Sequence, residues 1–437
     1  MRIFLGLTEV SGYYSNLMKG FDDLGVDAEY VSLHSHPFNY GETDEQSFLP
    51  KFARYCVNRR VSLAPGSWMG FFWLIMVLVA RVPLFIWALV KFDIFIMGGG
   101  SSFFRYYEFP IIRLFGKKII YMFHGTDSRP AYIDGFCEGI ADQSNQTSSK
   151  ISLSEIDTYT KVAKKRKKCV SMIEKYANVV IGHSAYAHFF RYPIIAGLIV
   201  GVPLKIKNGL TQEIPKEADC IQILHSPSQR EGKGTKRIRL AISNLEARGY
   251  KINFVEISGR PNSEVLEEIQ KCDFVVDQVY SDTAMAGFAA EAAFYGKPAI
   301  LGGYYCEQIL EDLPAEYLPP TIYCHPEKIE SAIEKLITDR DLRLSLGQRA
   351  KDFVERNCTA EQVASRYLRI IKGDIPDNWI FDPYQTRYLH GCGMDEARAR
   401  HVVKSVIEQY GREALQLSHN PQLEEMFVDF ANSSDTK

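Results

Sequence analysis

The chain has 437 residues, of which 46% are hydrophobic and 24% are charged, and its formal net charge is −2. This composition is typical of a soluble globular protein, and the length suffices for two or three domains, each with an ample core. Because the net charge is close to zero, no nucleic-acid partner is expected.

Nine cysteines are scattered singly between Cys56 and Cys392, with no Cys-x-x-Cys pair and no Cys/His spacing that suits a metal. Such a set is typical of a reducing compartment rather than of a disulfide framework. The apolar run at 1–7 is too short for a signal peptide and is interpreted as a first strand. We therefore expect a cytoplasmic protein without a metal site.

Ten short apolar runs alternate with helical patterns, which predicts βαβ units and parallel sheets. The runs lie at 2–7, 28–33, 92–97, 118–123, 178–182, 220–225, 251–257, 274–278, 298–301 and 321–324. They predict an α/β fold of two doubly wound, Rossmann-like domains, residues 1–200 and 201–371, that face each other across a cleft. A linker rich in Gly and Pro near 197–215 joins them, and a C-terminal helical extension is expected over 372–437.

The first predicted strand is followed by a turn around Gly12 and then by a helical pattern. A glycine lets the backbone approach a ligand phosphate, and the start of the next helix supplies amide groups. Gly12 is therefore a candidate residue for binding the phosphate of a ligand, with an ordinary strand-to-helix turn as the alternative.

The most apolar segment covers residues 67–91 and is interrupted at Arg81 and Pro83. A membrane span needs about 20 mostly apolar residues, and a central Arg disfavours it. We predict two short helices split at this point, either buried in the domain or lying in a membrane interface. Residues 1–200 carry 22 Lys and Arg against 17 Asp and Glu. Nearby cations favour peripheral contact with an anionic membrane, on the inner face of the cell membrane (Arg54, Arg59, Arg60 and Lys91).

A polar cluster, His124-Gly-Thr-Asp127-Ser-Arg129, follows the fourth predicted strand. It places a hydrogen-bonding ring, a flexible backbone, a carboxylate and a cation within six residues. Asp127 is a candidate base toward an acceptor hydroxyl. The alternative is structural, with His124 capping the strand and Asp127 paired locally with Arg129.

The loop at 225–235 follows the sixth predicted strand and contains Ser226, Arg230 and Lys233. Two cations on a loop with glycines suit a diphosphate, because Arg binds phosphate in a bidentate way and Lys acts as a point charge. A solvated basic loop is the alternative.

Residues 281–300, SDTAMAGFAAEAAFYGKPAI, predict a loop of small residues, a helix, a glycine stop and a buried strand. The backbone amides at the helix start, near Gly287 and Phe288, point toward an anion, and the helix dipole favours phosphate there. Glu291 lies about one turn further, where its carboxylate can accept hydrogen bonds from ribose hydroxyls. An ordinary βαβ turn with a surface glutamate is the alternative.

These motifs resemble the donor site of the GT-B glycosyltransferases, specifically the large retaining family 4 (group 1), which includes sucrose synthases and bacterial mannosyltransferases. The resemblance implies transfer of a sugar from a nucleotide diphosphate-sugar to a hydroxyl acceptor, with retention of configuration and without a cofactor or metal. It implies that His124 contacts the sugar, that Lys233 and Arg230 neutralise the diphosphate, and that Glu291 holds the ribose. The expected acceptor is a saccharide or lipid-linked saccharide in cell-surface glycan synthesis.

The chain departs from the family at one carboxylate. The family carries an acidic residue eight positions before the ribose-binding glutamate, and this chain has Thr283 there, with Asp282 adjacent as a candidate substitute. Two alternatives therefore stay open: a catalytically inactive GT-B-like binding or scaffold protein, and a nucleotide-sugar epimerase on the same fold.

Overall fold

The structure is a computed structural model that describes residues 1–33, 47–64, 66–140, 151–205 and 220–433. The strands within these residues are β1 (Ile3–Leu7), β2 (Ala28–Ser32), β3 (Ile94–Gly98), β4 (Lys118–Met122), β5 (Val179–Gly182), β6 (Ile194–Ala196), β7 (Ile221–His225), β8 (Ile252–Glu256), β9 (Phe274–Val276), β10 (Ala299–Gly302), β11 (Ile322–Cys324) and β12 (Ile380–Phe381). The α-helices are α1 (Tyr13–Asp23), α2 (Phe48–Val61), α3 (Trp68–Lys91), α4 (Phe109–Leu114), α5 (Leu153–Tyr176), α6 (Gly197–Val200), α7 (Arg230–Lys233), α8 (Thr235–Ala247), α9 (Asn262–Lys271), α10 (Gly287–Phe294), α11 (Ile309–Asp312), α12 (Ile329–Thr338), α13 (Arg340–Asn357), α14 (Ala360–Lys372), α15 (Glu396–Tyr410) and α16 (Pro421–Asn432).

The first sheet has seven strands in the order β12-β6-β5-β4-β3-β1-β2, parallel except for β12, which pairs antiparallel with β6. Helix α1 lies on one face of this sheet, and α3, α4 and α5 lie on the other. This is expected of right-handed crossovers when the order of the strands changes direction after β2. Two separate apolar clusters agree with this: one includes Leu84, Phe109 and Ile173, and the other includes Leu17 and Phe21.

The second sheet has five parallel strands in the order β11-β10-β9-β7-β8. Helices α8 and α12 cover one face, and α9, α10 and α13 cover the other. The strand order reverses between β7 and β9, so a crevice opens at the carboxyl ends of these two strands. The predicted α/β fold of two doubly wound domains is confirmed, and so are the ten predicted strands, whose ends agree within two residues.

The predicted split of the apolar segment is wrong, because α3 is one continuous helix of 24 residues with Pro83 inside it. A proline in a helix interior costs about 3 kcal/mol. Burial of Leu84, Phe85 and Leu89 against the sheet stabilises the helix by about 1.5–3 kcal/mol for each side chain, which outweighs that cost. The ring of Pro83 is exposed, so it displaces no core residue.

The C-terminal part of the chain packs back onto the first sheet. Helix α14, which lies in the predicted second domain, packs so closely on α1 that a side chain at Gly20 would overlap the carbonyl of Ala360. Helices α15 and α16 add Val402 and Phe427 to the core on the opposite face. The predicted extension thus completes the first domain, whereas the predicted linker at 197–215 lies partly outside the described residues.

Candidate active site

The carboxyl ends of the two sheets face each other. Arg129, which follows β4, binds Asp282, which follows β9. Ser184, which follows β5, shares a hydrogen bond with the hydroxyl of Tyr305, which follows β10. Loops from the two domains therefore meet in one cleft. The predicted site residues lie on the segments that follow β1, β4, β7 and β9.

Lys233 lies at the crevice between β7 and β9. Its Nζ is 3.3 Å from Oδ1 of Asp277, a carboxylate that follows β9 and is only 1% exposed. His225 secures the base of this loop, because its Nδ1 donates to the carbonyl of Val276 at 2.8 Å and its Nε2 accepts from the Thr235 hydroxyl at 2.9 Å. The Lys233 ammonium is thus held at the edge of the sheet where a ligand of this fold binds.

Arg230 turns away from that crevice. Its Nε donates to Oε1 of Glu256 at 2.7 Å, at the end of β8, and Arg239 binds the same carboxylate. Because β7 lies between β8 and β9, Arg230 and Lys233 bind carboxylates on opposite sides of β7. The structure does not bring the two predicted diphosphate ligands together. Ser226 is half-buried at the end of β7.

The loop before α10 is closed by its own side chains. The Ser281 hydroxyl accepts from the Gln278 amide at 2.7 Å and donates to the carbonyl of Thr283 at 2.8 Å. The Thr283 hydroxyl bonds to the backbone of Met285 within the same loop. Thr283 therefore stabilises the loop and presents no charge at the position where the family that this chain resembles has an acidic residue.

Helix α10 begins at Gly287 as predicted, and its cap residue, Ala286, supplies no side-chain acceptor. Its first amides, including that of Phe288, are therefore not capped by a side chain of the cap residue, and the positive end of the helix dipole lies there. Glu291 is half-buried, and its Oε1 accepts from the Asn262 amide at 2.9 Å, at the start of α9. The predicted loop, helix and strand are all present, and they place Glu291 one turn into α10.

Asp282 does not substitute for the missing carboxylate, because Arg129 binds it in the buried cleft. Burial alone would raise the pKa of Asp282, but the charge of Arg129, the nearby His183 and the hydrogen bonds to the carboxylate together hold this pKa below its ordinary value. Arg129 also donates to Asp134 at 3.0 Å, and Arg166 donates to the other oxygen of Asp134 at 2.7 Å. Two cations and two carboxylates thus form a neutral buried network across the two domains.

This network contradicts the predicted alternative of a local pair between Asp127 and Arg129. The sequence does not predict Asp134 or Arg166 as members of the site. The sequence does contain a pattern that indicates Arg166, because Arg166 shares the helical spacing of the buried residues Tyr159 and Val170 on α5. An arginine on the apolar face of a helix indicates a buried partner.

His124 and Asp127 lie together at the end of β4. The Nε2 of His124 is 3.0 Å from the Tyr14 hydroxyl, and burial lowers the pKa of His124 to about 4. Oδ1 of Asp127 accepts from the backbone amides of His124 at 2.9 Å and Gly125 at 3.1 Å. Oδ2 of Asp127 is buried without a hydrogen-bond partner, and burial raises the pKa of Asp127 to about 6. A carboxylate with one unpaired oxygen and a raised pKa has the chemistry of a general base.

Gly12 caps α1 in the left-handed conformation, with a φ of 82°. The carboxylate of Glu9 already accepts from the amides of Val10, Tyr14 and Ser15, at 2.8, 3.1 and 3.0 Å. An internal anion thus occupies the start of α1, so a phosphate has no free amides there. The prediction of Gly12 as a phosphate-approaching residue is not supported by this geometry, and Glu9, directly after β1, is the residue that the sequence pattern missed.

No family model matches this chain, and no curated protein does. Several solved structures are similar to it. The catalytic domain of starch synthase IV from Arabidopsis thaliana, bound to ADP and acarbose, is 10% identical with a TM-score of 0.48, over 85% of this chain and 99% of that chain. Anabaena Alr3699/HepE in complex with UDP and glucose is 10% identical with a TM-score of 0.43, over 85% and 98%. The spinosyn forosaminyltransferase SpnP is 12% identical with a TM-score of 0.42, over 85% and 99%.

Proposed function

We propose that this protein is a GT-B glycosyltransferase, which moves a sugar from a nucleotide diphosphate-sugar to a hydroxyl acceptor. The main support is one arrangement at the carboxyl edge of the second sheet. The Lys233 ammonium lies at the end of β9, the loop after β9 leads into the start of α10, and Glu291 follows one turn later. A cation and a helix start suit a diphosphate, and a nearby carboxylate suits a ribose.

In the proposed reaction the bond between the anomeric carbon and the diphosphate oxygen breaks, and a bond from that carbon to the acceptor oxygen forms on the same face. Negative charge grows on the departing diphosphate, where Lys233 and the first amides of α10 stabilise it. The proton of the acceptor hydroxyl passes to the Asp127 carboxylate, which a rotation of the side chain has to bring into the cleft because Oδ2 is buried in this structure. His124 is neutral at pH 7 and binds a sugar hydroxyl. The charge stabilisation is thus assigned to groups of the chain, and no metal is invoked.

We further propose that the configuration at the anomeric carbon is retained and that the acceptor is a saccharide or lipid-linked saccharide of cell-surface glycan synthesis. Support for retention is the resemblance of residues 281–300 to the retaining family. Support for a lipid-linked acceptor is the exposed apolar surface of α3, which lies in the same domain as Asp127.

A second candidate is a GT-B-like binding protein that holds a nucleotide-sugar without transferring it. Two observations favour it: Thr283 replaces an acidic residue, and Asp282 is paired with Arg129. This candidate predicts nucleotide binding without release of product. A measurement of turnover therefore distinguishes it from the transferase, whereas a measurement of nucleotide binding does not.

Lys233→Ala tests the proposal in an assay of nucleoside diphosphate release from UDP-, GDP- and ADP-sugars, with and without saccharide and lipid-linked acceptors. We expect acceptor-dependent release by the native protein and a loss of about 10²–10³-fold in kcat for the variant, because one charge-stabilising group at the leaving diphosphate is removed. Lys236→Ala is the matched control, since Lys236 is an exposed lysine three residues further on.

The transferase is refuted if a nucleotide binds the native protein tightly and no acceptor elicits release, which is the result expected of the binding protein. Equal activity of the Lys233→Ala and Lys236→Ala variants would overturn the assignment of Lys233 even if transfer occurs.

A further inference from the structure

Helix α3 exposes a long apolar surface. Eleven of its 24 residues are large apolar side chains with exposed fractions between 43% and 82%, among them Trp68, Phe71, Leu78 and Ile86. Soluble proteins rarely leave a contiguous apolar patch of this size uncovered, and a patch of this kind marks a site of contact with a membrane or a protein. We call these exposed side chains of α3 the apolar face.

The first turns of α3 extend toward the edge of the first sheet at which the cleft opens. Helix α3 is followed after two residues by β3, so it runs antiparallel to the strands, and its buried residues Val77 to Leu89 lie along the sheet. The helix is about 36 Å long, whereas β3 is about 17 Å long. The first turns of α3, with Trp68 and Phe71, therefore extend toward the carboxyl ends of the strands, where the cleft opens.

The charged residues of α2 and α3 themselves are all cations, of which Lys91 is paired with Glu29 of β2. Residues 47–91 contain six Lys and Arg and no Asp or Glu. Helix α2 packs on α3 and interleaves exposed Lys51 and Arg59 with the aromatic side chains of Phe48 and Tyr55. The Arg59 guanidinium lies 5.3 Å from the centre of the Tyr55 ring. Cations mixed with aromatic rings beside an apolar helix are typical of segments that lie among lipid headgroups.

We propose that α2 and the apolar face dock this protein on an anionic lipid bilayer. The apolar face enters the acyl region, and Lys51 and Arg59 contact lipid phosphates. Lipid is the occupant that the charge favours, because a two-fold contact between copies of this chain through the same surface would bring the cations of both copies together.

The helix lies in the interface and does not cross the bilayer. By length and composition α3 is the one helix in the described parts of the chain that qualifies as a span, with a mean hydropathy of 2.3 in its most apolar window. Its second half, however, packs through Leu84 and Phe85 on the core of the first sheet. A crossing would strip that core, whereas docking immerses only the side that is already exposed.

Docking also indicates the kind of acceptor, a step that rests on the proposed function. A cleft held beside the bilayer surface receives an acceptor whose reacting hydroxyl stands at the headgroup level. A saccharide attached to a membrane lipid meets that requirement, since its lipid portion stays in the acyl layer next to α3.

Vesicle co-sedimentation of the full chain tests the docking. We expect binding to phosphatidylcholine vesicles that contain phosphatidylglycerol, and weaker binding to phosphatidylcholine alone or at high salt, because the headgroup contacts are electrostatic. The double variant Phe71→Glu/Leu78→Glu should lower the partition coefficient at least about tenfold, since two charges enter the acyl region. Leu240→Glu is the matched control, because Leu240 is 61% exposed on α8 of the other domain.

Thermal unfolding and nucleotide binding are measured on the same variants. Retained nucleotide binding by the double variant shows that it is folded, and it separates failure of the docking from failure of the proposed function. Docking is overturned if the native protein does not bind anionic vesicles, or if Leu240→Glu loses as much vesicle binding as the double variant. It is also overturned if light scattering without lipid shows a dimer that the double variant dissociates, because the apolar face then belongs to a second copy.

Discussion

Asp127 offers the sharpest test at the scale of single residues. Burial raises its pKa to about 6, so it is deprotonated and able to accept a proton only above that pH. We expect kcat to rise with pH through about 6 and then to level off. Asp127→Asn should lower kcat by about 10²–10⁴-fold and abolish this rise, because general base catalysis is lost. A pH profile of product release checks this, and an unchanged rise in the variant would show that another group titrates.

The pair of Asp282 with Arg129 sets the stability of the cleft. Asp282→Asn leaves the Arg129 guanidinium with reduced charge compensation in a buried place, so we expect a loss of about 3–5 kcal/mol in the free energy of unfolding. Glu425→Gln is the control, because Glu425 pairs with Arg412 on the surface, where such a pair contributes about 0–1 kcal/mol.

Urea denaturation measures these two variants, Arg129→Met alone, and the double variant Arg129→Met/Asp282→Asn. The double variant should lose less free energy of unfolding than the sum of the two single variants, since the partners interact directly. Additive losses, or a loss for Asp282→Asn no larger than that of the control, would mean that the pair does not stabilise the cleft.

Local patterns in the sequence predict where the candidate site residues lie better than they predict the partners of those residues. His124 and Asp127 follow β4, Lys233 lies shortly after β7, and Glu291 lies one turn into α10. Their partners come from distant parts of the chain: Asp282 binds a residue 153 positions away. A carboxylate that the sequence places in a loop, such as that of Asp282, can therefore be paired with a cation from the other domain.

At the scale of elements, α3 shows where a local rule fails. Arg81 and Pro83 predict a break in the helix. Burial of Leu84 and Phe85 against the sheet nevertheless keeps the helix continuous. Arg81 itself is accommodated because its guanidinium donates to the carbonyl of Phe103 at 3.2 Å. Helix α10, in contrast, obeys its local signals, with a glycine stop at Gly296 that adopts a φ of 69°.

Pro83→Ala should stabilise the protein by up to about 3 kcal/mol, because the helix regains a backbone hydrogen bond and no buried contact is lost. Pro421→Ala is the control, since Pro421 occupies the first turn of α16, where proline is favourable. Thermal unfolding of the two variants checks this. A melting temperature of Pro83→Ala at or below that of the native protein would show that the helix depends on its proline.

Over the full chain, the alternation of strands and helices predicts both sheets. It does not predict β12 or the packing of the C-terminal helices onto the first domain. Strand β12 has only two residues and gives no periodic signal. The residues of α15 and α16 that join the first core, such as Val402 and Phe427, lie more than 200 positions from α5 and Tyr132, on which these helices pack. Their helical spacing predicts helices, whereas their packing partner is decided by the tertiary fold.

The proposed function requires that the second sheet binds a nucleotide, and thermal unfolding with UDP, GDP and ADP measures this binding. A nucleotide at 100 times its dissociation constant should add about 2.7 kcal/mol to the free energy of unfolding. We predict that one nucleotide stabilises the native protein and the control Glu267→Ala, whose glutamate is exposed on α9, and that Glu291→Ala loses this stabilisation. If no nucleotide stabilises the native protein, or if both variants respond alike, the proposed donor site is wrong.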